Sequence, residues 1–195
     1  MGPVGIAEIV RASALREMAW ANGAGTTYEV AVSPAGAGLA DFDWRISLAD
    51  ISVDGDFSVL PGVDRVLVLI EGEGMDLTVA GQTRALEPWA PVNFAGEAAA
   101  SCTLRHGPTR DLNLMCRRSR VTGSVEILPG ASVLDVRVQQ GETVWLGVLA
   151  GAWATEAEPD LALGPRDFIR IDRPITLVGH GLVARVGLHA RPTVP

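Results

Sequence analysis

The chain contains no lysine, so all sixteen of its basic residues are arginines. Together with 23 acidic residues they leave a formal net charge of -7. Proteins that bind the phosphate backbone of nucleic acids do so mainly through clusters of cationic side chains. The basic cluster "RRSR", at residues 117–120, is short, and a solvated strand end explains it equally well. We therefore expect no nucleic-acid partner.

Long apolar runs and export signals are also missing. No apolar run approaches the about 20 residues that a membrane-spanning helix needs. The first twenty residues mix Glu8, Arg11, Arg16 and Glu17 into the apolar positions, so they do not form the apolar block of a signal peptide. We expect a cytoplasmic protein with no membrane partner.

Cysteine and histidine are scarce. Cys102 and Cys116 are too few for a disulfide framework, and we predict small buried thiols. His106, His180 and His189 contain no His-x-His pair, so a transition-metal site would need distant carboxylates. The turns "GAG" and "GEG" lack the rest of a dinucleotide fingerprint. We expect neither a metal nor another cofactor.

Glycine and proline, by contrast, are abundant and regularly spaced. Twenty-two glycines and twelve prolines separate short runs rich in Val, Ile, Leu and Thr. This spacing predicts an all-β sandwich or barrel. The opening stretch "IAEIVRASALREMA" is the one plausible helix.

An internal repeat points to a duplicated architecture. The stretches that begin "VLVLIEG" and "VWLGVLAG" share an order of apolar strand, Gly, short strand, Leu-x-Pro, strand and Gly-rich turn. Gly72 matches Gly151, and Pro88 matches Pro165. Two such units predict a cupin-like double barrel, a bicupin of jelly-roll halves. We expect one compact unit made of residues 1–118 and residues 119–195, with a plain two-sheet sandwich as the alternative.

Two predicted strands carry polar side chains on one face. Side chains alternate along a strand, so "DLNLMCR" places Asp111, Asn113 and Arg117 on one face, and "WRISLA" does the same for Arg45 and Ser47. If these faces line the mouth of a small barrel, they form a cavity rich in hydrogen-bond donors. That is a usual ligand position in such folds.

Arg45, Arg65 and Arg117 present three guanidinium groups, and Asp111 can neutralise only one of them. The surplus positive charge predicts a small anionic ligand such as a carboxylate. Two structural alternatives remain open. Arg45 and Asp111 could pair and pin two strands, or the polar stripe could face water.

Three residues near the N-terminus are further candidates. Asn22 could supply amide donors to one side of the cavity, and Trp20 could form a flat wall or be plain packing. Glu29 either faces the same cavity or caps a turn. If the protein is an enzyme, Asp111 or Glu29 is the candidate general base, with an arginine stabilising a developing oxyanion.

Three stretches of the first 118 residues resemble the HutD/Ves family. They are "WANGAGTTYEVAV", "FDWRISLADISVDGDFSVLPGVDRVLVLIEGEG" and "FAGEAAASCTLRHGPTRDLNLMCRR". They match the family patterns Trp-x-Asn-Gly, Trp-Arg-Ile-Ser with Pro-Gly-x-x-Arg, and Asp-x-Asn-x-Met-x-Arg. Ala24 departs from the family, which usually has glycine there, and residues 119–195 resemble it only loosely.

The resemblance implies a cupin-like fold and an association with histidine utilisation. In that setting HutD proteins are expected to tune operon output by binding a small pathway molecule, whereas Ves-like members are linked to stress or cold induction. We therefore expect a metal-independent sensor or regulator that binds a small carboxylate. The alternatives are a cupin-fold isomerase or hydrolase, a stress-response protein without catalysis, and an interaction protein whose pocket is vestigial. Exposed sheet edges leave a homodimer possible.

Overall fold

The computed structural model describes residues 5–20 and 25–192, and nearly all of their regular structure is β-strand. The predicted all-β class is confirmed. No helix in these ranges is long and apolar enough to cross a bilayer. The described residues form two compact units: a first unit of residues 16–20, 25–122 and 191–192, and a second unit of residues 5–15 and 123–190.

The predicted opening helix is wrong. The segment forms strand β1 (Ile6–Val10), one 3₁₀ turn (Ala12–Ala14) and strand β2 (Arg16–Ala19). β1 is rich in β-branched residues and pairs antiparallel with Phe168–Ile171, far along the chain. β2 pairs with the strand that follows it. Pairing with these partners overrides a weak local preference for helix.

The first unit is built from two antiparallel sheets. Its further strands are β3 (Gly25–Ser33), β4 (Trp44–Ile51), β5 (Gly55–Asp56), β6 (Val63–Glu71), β7 (Met75–Val79), β8 (Gln82–Leu86), β9 (Val92–Ala95), β10 (Ala100–Leu104) and β11 (Thr109–Arg117). The six-stranded sheet has the order β2-β3-β4-β11-β6-β9, and the four-stranded sheet has the order β5-β10-β7-β8.

The two sheets of the first unit share one apolar core. Leu67 and Leu69 of β6 belong to the same buried cluster as Met75 and Leu77 of β7 and Leu86 of β8. The face of the six-stranded sheet that carries Leu67 and Leu69 therefore points into the interior of the unit.

The second unit contains one seven-stranded sheet. Its further strands are β12 (Val121–Gly130), β13 (Val133–Val136), β14 (Glu142–Thr155), β15 (Glu158–Leu163), β16 (Phe168–Ile171) and β17 (Ile175–Ala190). The main order is β1-β16-β14-β17-β12, with β13 added to β17 and β15 added to β14. The buried cluster of this unit consists of hydrophobic residues, among them Val144, Leu146 and Val183.

The strand pairing repeats between the units, which confirms the predicted duplication. β6 pairs with β9 and β11, and after Gly72 the chain continues as β7, which pairs with β8 and β10. In β14 the residues before Gly151 pair with β16 and β17, and those after it pair with β15 and β17. Gly72 and Gly151 have positive φ values of 102° and 81°. A Cβ at Gly151 would lie 1.9 Å from the carbonyl oxygen of His180, so this position requires glycine.

Candidate functional site

The six-stranded sheet carries the predicted polar face into the interior of the first unit. Residues directly opposite each other in an antiparallel pair share a face of the sheet. Asp111 lies opposite Leu69, which belongs to the apolar core. Asn113 lies opposite Leu67 on one side and Ser47 on the other. The polar residues of β4 and β11 are therefore surrounded by core side chains.

Two arginines occupy the next row of the same face. Met115 of β11 lies between Arg45 of β4 and Arg65 of β6. Neighbouring strands are about 4.8 Å apart, so the backbones of the two arginines are about 10 Å apart. Their exposed fractions are only 9% for Arg45 and 3% for Arg65. The alternative in which this stripe faces water is wrong.

Arg65 is a buried cation without a carboxylate in contact. Its Nη2 donates a hydrogen bond of 2.9 Å to Oδ1 of Asn113, and its buried Nε has no hydrogen-bond partner. The guanidinium carbon lies 5.2 Å from the ring centre of Phe57 and 5.0 Å from that of Phe94. Among the ion pairs of the described residues, none includes Arg65. Burial lowers the pKa of Arg65 to about 10, so it remains charged at neutral pH.

Asp111 lies next to this cation but is joined to it through an amide. Nδ2 of Asn113 donates a hydrogen bond to Oδ1 of Asp111, while Oδ2 of Asp111 is buried without a partner. Asp111 is fully buried, and this burial raises its pKa to about 7 although Arg65 and Asn113 act to lower it. Asn113 thus accepts from a guanidinium and donates to a carboxyl, which fixes the orientation of its amide.

Arg45 pairs with Glu29, so the predicted alternative of an Arg45–Asp111 pair is wrong. Nη2 of Arg45 lies 3.2 Å from Oε2 of Glu29 and donates a 3.6 Å hydrogen bond to the sulfur of Met18. Glu29 lies opposite Ser47 in the register, on the interior face. Of the two alternatives that the sequence left open, Glu29 therefore faces the interior. Burial lowers the pKa of Arg45, and Glu29 acts in the opposite direction.

Trp20 packs against the edge of the core of the first unit. Its Nε1 donates a 2.7 Å hydrogen bond to Oγ1 of Thr27, and Thr27 lies opposite Ala49 on the interior face. A Cβ on Gly25 would lie 2.3 Å from the carbonyl oxygen of Asp50, so the backbone between these residues is tightly packed. The predicted contribution of Asn22 lies outside the described residues.

Arg117 does not join the cluster, which corrects the prediction of three converging guanidiniums. Its Nε and Nη2 donate to the carbonyl oxygens of Phe42 and Ala40, at 3.2 and 3.0 Å. Its guanidinium also lies 5.3 Å from the ring centre of Phe42. Arg117 is the last residue of β11, where the chain leaves the sheet and a loop offers carbonyl acceptors. Arg117 therefore holds the loop before β4 that contains Ala40 and Phe42.

Three other arginines of the first unit have structural roles, and each of them forms ion pairs with two carboxylates. Arg110 forms ion pairs with Asp50 and Glu71, at 2.5 and 2.7 Å. Arg118 pairs in the same way with Asp64 and Glu97. Arg105 pairs with two further carboxylates. Each of these cations is held by two acids, whereas Arg65 contacts a neutral amide.

The interior residues do not fit the histidine-based metal site common in cupins. Two guanidiniums would repel a divalent cation, and no histidine belongs to the interior face. His106 and His180 are exposed, while His189 lies 3.7 Å from Glu142 in the second unit. Within residues 5–20 and 25–192, no three His, Cys, Asp or Glu side chains are grouped to hold a metal ion. The two cysteines are buried free thiols, as predicted.

Sequence reasoning missed the two rings that enclose Arg65. Phe57 follows the short strand β5, and Phe94 lies opposite Arg65 on β9. No local periodicity links either ring to β6, because both contacts depend on how distant strands pair. Both rings lie within the stretches that resemble the HutD/Ves family, and that resemblance was the available signal for them.

Comparisons with known proteins agree with this architecture. The HutD family model matches residues 12–183. An uncharacterised 21.2 kDa protein in the hutC 3' region of Pseudomonas putida is 38% identical over 128 residues, which cover 65% of this chain and 67% of the relative. Protein Ves of Citrobacter koseri is 38% identical over 136 residues, which cover 69% of this chain and 68% of the relative.

A solved structure extends the likeness over both units. HutD from Pseudomonas fluorescens SBW25, determined in a formate condition, superposes with a TM-score of 0.80 at 33% identity. The match covers 95% of this chain and 99% of that protein. It confirms the predicted cupin-like double-barrel fold. Because the family model spans most of its length, the chain belongs to the HutD family.

Proposed function

We propose that the interior of the first unit binds a small carboxylate metabolite, with Arg65 as the principal cation. The observation that carries this proposal is the state of Arg65: a guanidinium that is 3% exposed, contacts no carboxylate and has an unpartnered Nε. A buried ion costs several kcal/mol unless it is well compensated. A carboxylate can accept two parallel hydrogen bonds from one guanidinium, which is the best-matched partner for it.

The partners in contact with Arg65 are a neutral amide and two aromatic rings, none of which carries a negative charge. The two ring contacts contribute roughly 0.5–2 kcal/mol each, and a hydrogen bond to a charged group contributes about 1.5–3 kcal/mol. Phe57 and Phe94 also restrict where the guanidinium can point. Because the rings hold the guanidinium in place before a ligand binds, less conformational entropy is lost on binding.

Neighbouring groups provide a second point of contact. Arg45 and Glu29 form an ion pair about two strands away, and Ser47 lies between Glu29 and Asn113 in the register. A ligand with a carboxylate at one end and a hydrogen-bonding group at the other could use both points. The proposed site therefore suits a small polar metabolite rather than a long apolar one.

The relatives make a regulatory role in histidine utilisation the most economical setting for this binding. The protein from Pseudomonas putida lies in the hutC 3' region. The related HutD structure was determined in a formate condition, and formate is the smallest carboxylate. We infer a sensor or regulator that responds to a carboxylate intermediate and uses guanidinium chemistry in place of a metal.

The test is calorimetric titration of the purified protein with urocanate, N-formyl-L-glutamate and N-formimino-L-glutamate. We expect one of these to bind with a Kd near 1 µM, about -8 kcal/mol. Arg65→Met should weaken that binding at least about 100-fold, because it removes a buried bidentate partner. Arg84→Met is the matched control, since Arg84 is exposed on β8 and its loss should leave the affinity unchanged.

Two results would count against the proposal. One is an absence of binding for all three compounds and for formate in a protein that unfolds cooperatively. The other is binding that survives Arg65→Met, which would place the ligand elsewhere.

A second candidate function is catalysis with Asp111 as a general acid or base. The observation that favours it is a buried carboxyl whose pKa is raised to about 7, close to the value that suits proton transfer at neutral pH. Turnover of a bound compound that disappears in Asp111→Asn, while its affinity is retained, would support this function. Unchanged turnover in that variant would exclude Asp111 from the chemistry.

A further inference from the structure

Asp111 and Arg65 are linked in a way that couples their charges without direct contact. The amide of Asn113 lies between them, accepting from Arg65 and donating to Asp111. Asp111 therefore depends on Arg65 for charge compensation at a distance. Its second oxygen, Oδ2, is buried and has no hydrogen-bond partner.

Few other charged groups act on Asp111. Arg65 of β6 favours its ionised form, whereas Asp50 of β4 disfavours that form. Cys102 of β10 is close enough for the charge of Asp111 to raise the pKa of its thiol, which is also raised by burial. The face of β7 that packs here is apolar, with Met75 and Leu77 in the core cluster. Arg65 is thus the main source of positive potential at the carboxyl.

An anion that binds Arg65 removes this compensation. Once the positive charge is shared with a ligand carboxylate, an ionised Asp111 would be a second negative charge in an interior from which water is excluded. A buried carboxylate that loses its compensating charge is strongly disfavoured, whereas a neutral carboxylic acid needs no counter-charge. The unpartnered Oδ2 is a site where a proton can be added without breaking an existing hydrogen bond.

We propose that binding of a small carboxylate at Arg65 takes up one proton from solvent at Asp111. This inference rests on the proposed function of the first unit and adds a regulatory property to it. The ligand enters as an anion, the proton goes to Oδ2 of Asp111, and no bond of the ligand is broken. For each carboxylate that binds at Arg65, the added proton offsets one negative charge in the interior.

The linkage has a definite pH dependence. Below the pKa of Asp111 in the free protein the carboxyl already holds its proton, so affinity is constant. Above that pKa each further pH unit weakens binding about tenfold, because binding takes up one proton and the free proton concentration falls tenfold per pH unit. Since burial places that pKa at about 7, the change falls in the physiological range.

The experiment is calorimetry with N-formyl-L-glutamate in buffers of different ionisation enthalpy, at about pH 5.5, 7 and 8.5. This probe is suitable because neither its carboxylates nor its formamide titrates in that range, so any proton uptake belongs to the protein. We expect about one proton taken up per ligand at pH 8.5 and close to none at pH 5.5. The Kd should be about 30-fold higher at pH 8.5 than at pH 5.5, which means weaker binding.

Two variants separate this effect from general charge. Asp111→Asn imitates the protonated carboxyl, so it should bind with the same affinity at all three pH values and take up no proton. Asp64→Asn removes the same charge from a residue that pairs with Arg118 and is about half exposed, so it should behave as the wild type does. Circular dichroism of each variant checks its fold.

The possible failures are distinguishable. Binding of the probe that depends on Arg65 but shows no proton uptake and no change between pH 5.5 and 8.5 would overturn the linkage and leave the proposed function standing. Proton uptake that persists in Asp111→Asn would assign the proton to another group and overturn it as well. No binding of any tested carboxylate at pH 5.5 would remove the proposed function and this inference together.

Discussion

The two units repeat one strand order, yet their interiors differ in chemistry. The interior face of the first unit carries Arg45, Arg65 and Asp111, all buried. The corresponding face of β14 in the second unit carries residues of an apolar core cluster. That face also carries a buried ion pair, Glu142 with Arg185 at 2.8 Å, because Arg185 lies opposite Leu146.

The difference lies in how interior charge is compensated: the second unit has a direct ion pair, whereas Arg65 has no carboxylate in contact among the described residues. A sheet of the same topology is held together in the second unit by apolar packing, which contributes roughly 25 cal/mol per Å² buried. Buried charges are weak evidence for stability, because hydrophobic replacements of similar volume are often neutral or better. The charges of the first unit are therefore better explained by the binding function that we propose than by stability.

The largest expected effect comes from placing a charge in the apolar interior. Val144 is fully buried in β14, and Val144→Asp should destabilise the protein by at least about 4 kcal/mol, because it places a carboxylate among apolar side chains and the nearby Arg185 is already paired with Glu142. Val144→Thr, which adds only a hydroxyl, should cost about 1–3 kcal/mol. Urea unfolding measures both. A cost below about 1 kcal/mol for Val144→Asp would show that the second interior tolerates charge and would remove the contrast.

Removing one charge from the first interior should have the next largest effect. Arg65→Met leaves Asp111 without its main compensation, so we expect a loss of about 1–2 kcal/mol at pH 8, where protonation of Asp111 limits the cost. The double variant Arg65→Met/Asp111→Asn should recover most of that loss, because neither charge remains. Chemical denaturation at fixed pH tests this. A double variant no more stable than the single one would mean that the charged pair itself supports the fold.

The same pair predicts a pH dependence of stability. Folding raises the pKa of Asp111 to about 7, so between about pH 4 and 7 the folded protein holds a proton that the unfolded chain has released. The free energy of unfolding should therefore fall as pH rises through this window. Glu97, whose pKa is lowered to about 2 by Arg118, acts in the opposite direction but only at lower pH.

The measurement compares wild type with Asp111→Asn at about pH 5.5 and 7.5. The stability of the wild type relative to the variant should decrease by about 1–2 kcal/mol between these values. An equal pH dependence in both proteins would mean that Asp111 titrates normally.

The smallest expected effect concerns Arg117. Arg117→Met removes two hydrogen bonds to the loop at Ala40 and Phe42 and should cost about 1 kcal/mol of stability. Carboxylate affinity should not change, because Arg117 does not contact the cluster. A loss of carboxylate affinity in Arg117→Met would instead show that Arg117 contributes to the site.

Much of the fold could be predicted from local pattern. Short strands between glycines and prolines indicated the all-β class, and the matched glycines, Gly72 and Gly151, indicated the duplication. The opening segment could not be read locally, since Ile6–Val10 is a strand only because Phe168–Ile171 lies beside it. Its partner is supplied by the tertiary structure.

The site could be predicted in part, because side chains alternate between the two faces of a strand. Alternation along "DLNLMCR" correctly grouped Asp111 with Asn113, and alternation along "WRISLA" did so for Ser47 and Arg45. Which cation pairs with which acid depends on register between strands, so Glu29 remained open. Arg117 was misassigned because alternation says nothing about a side chain at the end of its strand.

The most direct test of the account is an electron-density map of the wild-type protein crystallised with N-formyl-L-glutamate, beside one of Arg65→Met grown in the same way. If Arg65 holds a carboxylate, the wild-type map should show planar density with both oxygens within about 3 Å of its guanidinium, and the variant should show none. Ordered water alone beside Arg65, with the compound bound at another surface or absent, would contradict the claim that this buried cation holds a carboxylate.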